Sequence, residues 1–172
     1  IGDRIGHERR HQGLGDLLKC KSWEHTWVNG GFANYGECLW WEYRGNEPGS
    51  ATLVSNTDEY QWWLLGMREA LIGSDVANAP FQPGMASKVY AHANDTFESA
   101  ASPYSKGAWV LHMLRMKLGD GVFFRAVAAY IDSNMDRAVE TFDLRRVFER
   151  TSGLSLARFF AQWVVRPGVP EL

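Results

Sequence analysis

Apolar side chains recur at intervals of three and four residues through most of this chain, and the strict alternation typical of a half-buried strand is nearly absent. In the clearest stretch, Phe32, Tyr35, Leu39 and Tyr43 share one face of a helix that Gly45 would close. The same reasoning predicts helices over residues 29–43, 58–72, 104–118, 120–131, 141–150 and 155–165. The pattern therefore predicts an all-α fold with at least six helices and almost no sheet.

The stretches between these segments carry signals that begin or end helices. Thr141 stands where a residue that caps a helix N-terminus would stand, and Gly119 and Pro167 follow predicted helix ends. Residues 74–103 combine closely spaced prolines with weak periodicity, which predicts a long irregular connection of the kind that often carries function. Because there is no internal repeat, low-complexity tract or charge block, we expect residues 1–172 to form a single helical domain.

Charge and composition exclude several classes of function. Eighteen Lys and Arg against twenty Asp and Glu give a net charge of −2, whereas a nucleic-acid groove or a polybasic membrane patch needs clustered positive charge. No apolar run approaches the ~20 residues of a membrane span. We therefore expect no nucleic-acid partner and no membrane span in this segment. Cys20 and Cys38 are too few for a disulfide framework and are expected to be free thiols, which favours a reducing compartment such as the cytoplasm.

One motif near the start of the chain carries metal chemistry. Residues 7–11 read His-Glu-Arg-Arg-His, and on a helix His7 and His11 face the same way. Both imidazoles can then reach one metal ion while Glu8 lies beside its bound water. A zinc ion lowers the pKa of such a water, and a neighbouring carboxylate takes the proton as the water attacks a carbonyl. The alternative interpretation of this motif alone is a solvated helix face that carries two histidines by chance.

Further motifs follow in a fixed order. Residues 23–37 read WEHTWVNGGFANYGE, residues 102–111 read SPYSKGAWVL, and residues 159–163 read FFAQW. Together with residues 7–11, these segments resemble the M1 family of zinc aminopeptidases. Members of that family typically read HExxH, then Asn-Glu-Gly-Phe-Ala about eighteen residues later, then Tyr-x-Lys-Gly-Ala. The resemblance runs from the first residues of the chain to its end.

This resemblance implies a fold and a set of roles. The fold would be the helical half of a thermolysin-like (gluzincin) metallopeptidase catalytic domain. His7 and His11 would hold one zinc ion, and Glu8 would act as general base. The Tyr104 hydroxyl would stabilise the oxyanion of the tetrahedral intermediate, while Lys106 in the same motif is expected to be structural. The implied reaction is hydrolysis of N-terminal peptide bonds of peptide substrates by a metal-activated water.

The sequence departs from the family at the third zinc ligand. In the family this ligand is the Glu of Asn-Glu-Gly-Phe-Ala, and the corresponding residue here is Gly30, which has no side chain. Two imidazoles and a water leave a tetrahedral zinc ion one protein ligand short, so we expect weak zinc binding. The nearest residues that could substitute are Glu24, His25, Glu37 and Cys20, and none of them lies at the family's spacing.

Two functions therefore stay open. The first is a zinc-dependent aminopeptidase, and the second is a catalytically impaired relative that binds peptides or proteins. A purely structural helical domain with an accidental metal motif is disfavoured, because several motifs occur in the family's order. The family's Gly-x-Met-Glu-Asn motif, which binds the free amino terminus of the substrate, belongs upstream of residue 1. We therefore expect the missing N-terminal part of the same polypeptide to be a further partner.

Overall fold

A computed structural model describes residues 18–45, 56–72, 84–86, 90–93, 96 and 103–167 of the chain. Six α-helices lie within these residues: α1 (Thr26–Gly45), α2 (Asn56–Ile72), α3 (Ser105–Leu118), α4 (Asp120–Asn134), α5 (Thr141–Ser152) and α6 (Ala157–Phe160). A 3-10 turn (Trp23–His25) leads into α1, and a π-helical turn (Ala161–Val165) continues α6. The sheet of the described part consists of two short strands, β1 (Leu18–Cys20) and β2 (Arg137–Val139). The predicted all-α fold is confirmed.

Glycine and proline mark several helix ends where the sequence predicts them. The first helix ends at Gly45, and α3 ends before Gly119, whose φ of 76° lies in the region that glycine adopts without strain. The last predicted helix differs, because its second half is π-helical: the Arg166 N–H donates to the Ala161 carbonyl at 3.0 Å. Most of the predicted connection at 74–103 lies outside the described residues. No helix in the described ranges has the length and apolarity needed to cross a membrane.

Helices α1 and α3 form the centre of the fold and cross with their backbones in contact. A Cβ atom added to Gly31 would lie 2.8 Å from the backbone carbonyl carbon of Gly107, so only glycine fits there without movement. The largest fully buried apolar side chains around this crossing include Trp27, Tyr35, Leu111, Leu114, Phe123 and Phe148. Burying one such side chain stabilises a fold by roughly 1.5–3 kcal/mol. The core therefore fixes the relative position of the two helix starts, near residues 26–31 and 104–108.

A two-stranded parallel sheet joins the start of the described chain to the connection between α4 and α5. Leu18 pairs with Arg137, and Cys20 pairs with Val139. The ladder continues one residue further, because the Lys21 N–H donates to the Val139 carbonyl at 3.0 Å. This pairing brings the 3-10 turn before α1 close to the beginning of α5.

The N-terminus of α5 corrects one expectation. Thr141 was predicted as the helix cap, but the cap is Glu140, whose extended backbone (φ −119°, ψ 163°) precedes the first helical residue. The Glu140 N–H donates to Asp143 Oδ2 at 2.8 Å, and the Asp143 N–H donates to the Glu140 carbonyl at 3.0 Å. An acidic residue at the third helical position supplies the acceptor that a capping box requires. Thr141 is therefore the first helical residue, and its buried hydroxyl contacts other elements.

Candidate functional site

The residues predicted to form the metal site fall in two groups. His7, Glu8 and His11 lie outside the described residues. Gly30 and Tyr104 are both described, the first on α1 and the second immediately before α3. The geometry of the site is therefore that of positions 30 and 104 and their surroundings.

The structure brings these two positions into contact. A Cβ atom added to Gly30 would lie 3.1 Å from Cδ1 of Tyr104, 3.2 Å from Cε1 and 3.7 Å from the Pro103 carbonyl oxygen. The half-buried ring of Tyr104 thus covers the face of α1 from which a side chain at position 30 would leave. The crossing of Gly31 and Gly107 creates this arrangement, because it brings the N-terminal halves of α1 and α3 into contact one residue from Gly30.

Two of the possible replacement ligands are bound to each other. His25 Nε2 lies 3.1 Å from Glu24 Oε1, and His25 Nδ1 lies 3.0 Å from Thr141 Oγ1. Both ring nitrogens of His25 thus already have protein partners. Glu37, on α1, lies seven positions after Gly30, which is about 10 Å along a helix axis.

The fourth replacement candidate, Cys20, is held as a thiol. Its Sγ donates to the His25 carbonyl at 3.2 Å, and burial raises its pKa to about 11. The thiolate is the form that binds metal ions, and burial disfavours it. Among the described residues there is no group of three His, Cys, Asp or Glu side chains that could hold a metal ion.

The described residues therefore do not fit the zinc ion that the resemblance implies. Position 30, where the resemblance implies a carboxylate ligand, carries only a hydrogen atom. Glu24 and His25 are engaged elsewhere, and the ring of Tyr104 fills the space next to Gly30. The described residues leave the expected zinc site without its third protein ligand.

An open cavity of about 440 Å³ lies at the start of α1. The described residues that line it are two exposed lysines, a half-exposed tryptophan and small polar residues: Lys19, Cys20, Lys21, Ser22, Trp23, Thr26 and Asn29. Asn29 directly precedes Gly30 in sequence, but neither Gly30 nor Tyr104 lines the cavity. The sequence did not predict this cavity, although two lysines and an aromatic residue shortly before the Asn-Gly-Gly segment indicate a surface that could bind a ligand.

A second feature that the sequence did not indicate is the burial of Lys106. Its side chain lies inside the first turn of α3, two residues after Tyr104, and is fully buried. Burial lowers the pKa of this amine to about 8, because a charged ammonium loses its hydration there. The location inside the packed helix crossing agrees with the structural role expected for this lysine.

Comparison with known proteins gives consistent results. The family model described as "Peptidase family M1 domain" matches residues 1–163. Aminopeptidase N of Lactococcus lactis is 29% identical over 166 residues, which cover 96% of this chain. Aminopeptidase M1-B of rice is 30% identical over 169 residues and 98% of this chain. The chain spans 18% of the length of each of these relatives.

Solved structures share the fold. A mutant M1 zinc metallopeptidase of Deinococcus radiodurans, bound to a Tyr-Ser-Ala substrate, matches 100% of this chain and 34% of its own with a TM-score of 0.73 and 26% identity. Yeast LTA4 hydrolase in complex with bestatin matches 99% of this chain and 27% of its own, with a TM-score of 0.74 and 22% identity. The helices described above correspond to the helical part of the catalytic domain in these proteins. This chain belongs to the peptidase M1 family.

Proposed function

We propose that this protein acts on peptides as an M1-type module whose metal site is incomplete, so that peptide binding persists and hydrolysis is impaired. The observation that carries the proposal is Gly30. It supplies no ligand, and the Tyr104 ring covers the side of α1 from which a side chain at this position would leave. Loss of even a residue that only orients a metal ligand costs about 10–100-fold in affinity or activity. We expect the loss of a direct ligand to cost at least as much.

The roles of the remaining site residues belong to the same proposal. His7 and His11 would hold a zinc ion, which supplies a polarised water when it is bound. Glu8 would accept a proton from that water, and the Tyr104 hydroxyl would donate a hydrogen bond to the substrate oxygen. The position of Tyr104 beside position 30 supports its role, because the family's tyrosine and its third ligand serve one site.

The cavity beside Asn29 supports peptide binding. It offers the Trp23 ring as an apolar surface and Lys19 as a cation, and these groups suit a peptide backbone and its carboxylate. Lys21, on the rim, is already paired with Glu140. Peptides are also the substrate class of the aminopeptidases that this chain resembles. We propose a peptide, or an extended segment of a partner protein, as the ligand of this cavity.

An active zinc aminopeptidase is the second candidate function. The retained Tyr104 and the match to the family over residues 1–163 favour it. Because the chain spans 18% of the length of its aminopeptidase relatives, the activity, the substrates and any upstream partner segment of a whole protein are part of this proposal.

Zinc titration separates the two functions. We expect the unmodified chain to bind zinc weakly, and Gly30→Glu to raise the affinity by at least about 10–100-fold by restoring the carboxylate ligand. Gly30→Gln is the matched control, since it places a similar volume against Tyr104 without the charge. Tight binding of one zinc ion by the unmodified chain, unchanged by Gly30→Glu, would show that another residue completes the site and would favour the active enzyme.

Peptide binding is tested independently of the metal. Calorimetric titration with Tyr-Ser-Ala, in the presence of a chelator, should show binding that Trp23→Ala weakens about tenfold. Trp62→Ala is the control, because Trp62 is 69% exposed on α2 and does not line the cavity. Equal binding by the two variants would remove the cavity from the proposal.

A further inference from the structure

A chain of buried hydrogen bonds links the starts of α1 and α5. The indole Nε1 of Trp27 lies 2.9 Å from Thr141 Oγ1, and His25 Nδ1 lies 3.0 Å from the same oxygen. The Thr141 backbone nitrogen is 3.4 Å from His25 Nδ1. On the other side of the imidazole ring, Nε2 lies 3.1 Å from Glu24 Oε1.

The chemistry of these groups fixes the direction of each hydrogen bond. An indole nitrogen can only donate, so Thr141 Oγ1 accepts from Trp27. The Thr141 backbone N–H donates to His25 Nδ1, so this nitrogen accepts and carries no proton, and the threonine hydroxyl can donate its hydrogen to the same nitrogen. The ring proton lies on Nε2, where it donates to Glu24. One neutral tautomer of His25 therefore satisfies all the hydrogen bonds of this network.

Protonation of His25 would disrupt this arrangement. A hydrogen on Nδ1 could donate to Thr141 Oγ1, but the Thr141 backbone N–H and the threonine hydroxyl hydrogen would both lose Nδ1 as their acceptor. A buried donor without an acceptor destabilises the folded state. The neutral ring of His25 therefore links the starts of α1 and α5, whereas the protonated ring destabilises its contact with Thr141.

The charged groups around His25 act in both directions. Glu24 on its own turn, and Glu140 and Asp143 at the start of α5, favour the imidazolium, whereas Lys21 after β1 opposes it. Burial is the largest effect and lowers the pKa of His25 below its ordinary value, consistent with a residue that is 6% exposed. The neutral form therefore persists to a lower pH than in an unfolded chain.

We propose that His25 and Thr141 form a pH-sensitive latch, which holds the N-terminal ends of α1 and α5 together at neutral pH and releases them on acidification. Since α1 carries Gly30 in its second turn, the latch also sets how firmly that end of α1 is held. The inference does not depend on the proposed function, because it involves neither a metal ion nor a peptide.

Nitrogen chemical shifts of the imidazole ring test the tautomer directly. At pH 7.5, His25 should be the Nε2–H tautomer, with its resonances assigned from their loss in His25→Asn. Glu24→Gln keeps an acceptor for Nε2 but removes the negative charge, so the pKa of His25 should fall further. An Nδ1–H tautomer, or a pKa of His25 that is unchanged in Glu24→Gln, would overturn the hydrogen-bond assignment.

Amide hydrogen exchange tests the release. After correction for the intrinsic effect of pH, protection of amides 139–144 should fall about tenfold between pH 7 and pH 5, while amides 146–150 stay protected. The fall should disappear in His25→Asn, because Asn Oδ1 can accept from Thr141 and does not titrate in this range. His112→Asn, which removes a half-buried histidine on α3, should leave the fall intact. Unchanged protection in the wild type, or an equal fall in His25→Asn, would overturn the latch.

Discussion

Arg115 forms a bidentate ion pair with Glu42: Nη1 donates to Oε2 at 2.6 Å and Nη2 donates to Oε1 at 2.9 Å. The same side chain reaches Asp120, because Nε and Nη2 each donate to one of its carboxylate oxygens at 2.8 Å. A single buried arginine on α3 therefore connects the last turn of α1 to the first residue of α4. Bidentate pairs of this kind are both stronger and more directional than single contacts.

Removal of this arginine should destabilise the fold strongly. We expect Arg115→Ala to lower the free energy of unfolding by about 3 kcal/mol, because it removes packing and leaves Glu42 partly buried without its partner. Arg125→Ala, at an exposed arginine of α4, should change it by less than about 0.5 kcal/mol. Urea denaturation of the three proteins measures the difference, and similar midpoints for both variants would contradict this role of Arg115.

The two neighbouring glycines of α1 should respond differently to alanine. Gly31→Ala places Cβ 2.8 Å from the backbone of Gly107, which cannot move independently of α3, and should cost roughly 1–3 kcal/mol of stability. Gly30→Ala meets only the edge of the Tyr104 ring at 3.1 Å. Its better helix propensity, worth about 1 kcal/mol, should offset a small ring movement. Thermal unfolding should therefore show a lower Tm for Gly31→Ala and little change for Gly30→Ala.

Burial of Lys106 predicts a pH dependence above neutrality. Its pKa is lowered to about 8 in the folded protein, so between that value and its ordinary 10.5 the unfolded chain binds more protons at this residue. The lysine's contribution to stability should therefore rise with pH across this window. Between pH 8 and pH 9.5, we expect the wild type to gain about 1–2 kcal/mol of stability relative to Lys106→Met.

The comparison with Lys106→Met is necessary because Cys20 and Cys38 act in the opposite direction. Burial raises their thiol pKa values to about 11 and about 12, so their contribution to stability is lost as pH rises above the unfolded value of 9.0. Both proteins contain these thiols, and the difference between them cancels this effect. Urea denaturation under reducing conditions at pH 7, 8 and 9.5 gives the measurement. A constant difference across the three pH values would rule out a titrating Lys106.

The same thiols should be chemically inert in the folded protein. At pH 7.5, a thiol with a pKa of about 11 is roughly one part in three thousand thiolate. We expect Cys20 and Cys38 to react with a disulfide reagent at least about a hundredfold more slowly in the folded chain than in urea. Fast reaction of either residue under native conditions would show that its helix or strand opens readily.

The helices were predictable because their causes are local. Apolar residues at intervals of three and four defined α1, α3 and α4, and Gly45 and Gly119 marked helix ends. Thr141 was misassigned for a physical reason: a threonine near a helix start resembles a cap, but its hydroxyl is used by His25 and Trp27. These partners lie 116 and 114 positions away, and no local pattern reveals them.

The candidate site was predictable only in part. The resemblance identified positions 30 and 104 as members of one site, and the structure places them in contact. The resemblance did not indicate that the ring of Tyr104 covers Gly30, because that contact depends on the close crossing of Gly31 and Gly107. The sequence also did not predict the contact between His25 and Glu24, since this contact depends on the burial of the turn before α1.

The parallel pairing of β1 with β2 has a consequence for how the chain folds. The ion pair between Lys21 and Glu140, beside this sheet, closes a loop of 119 positions, and the entropy of such a closure costs about 4 kcal/mol. Contacts this distant in sequence form late and slow the search for the native state. Although its secondary structure is mostly helical and local, the described part of the chain should fold as one cooperative unit, because within that part β1 pairs only with β2.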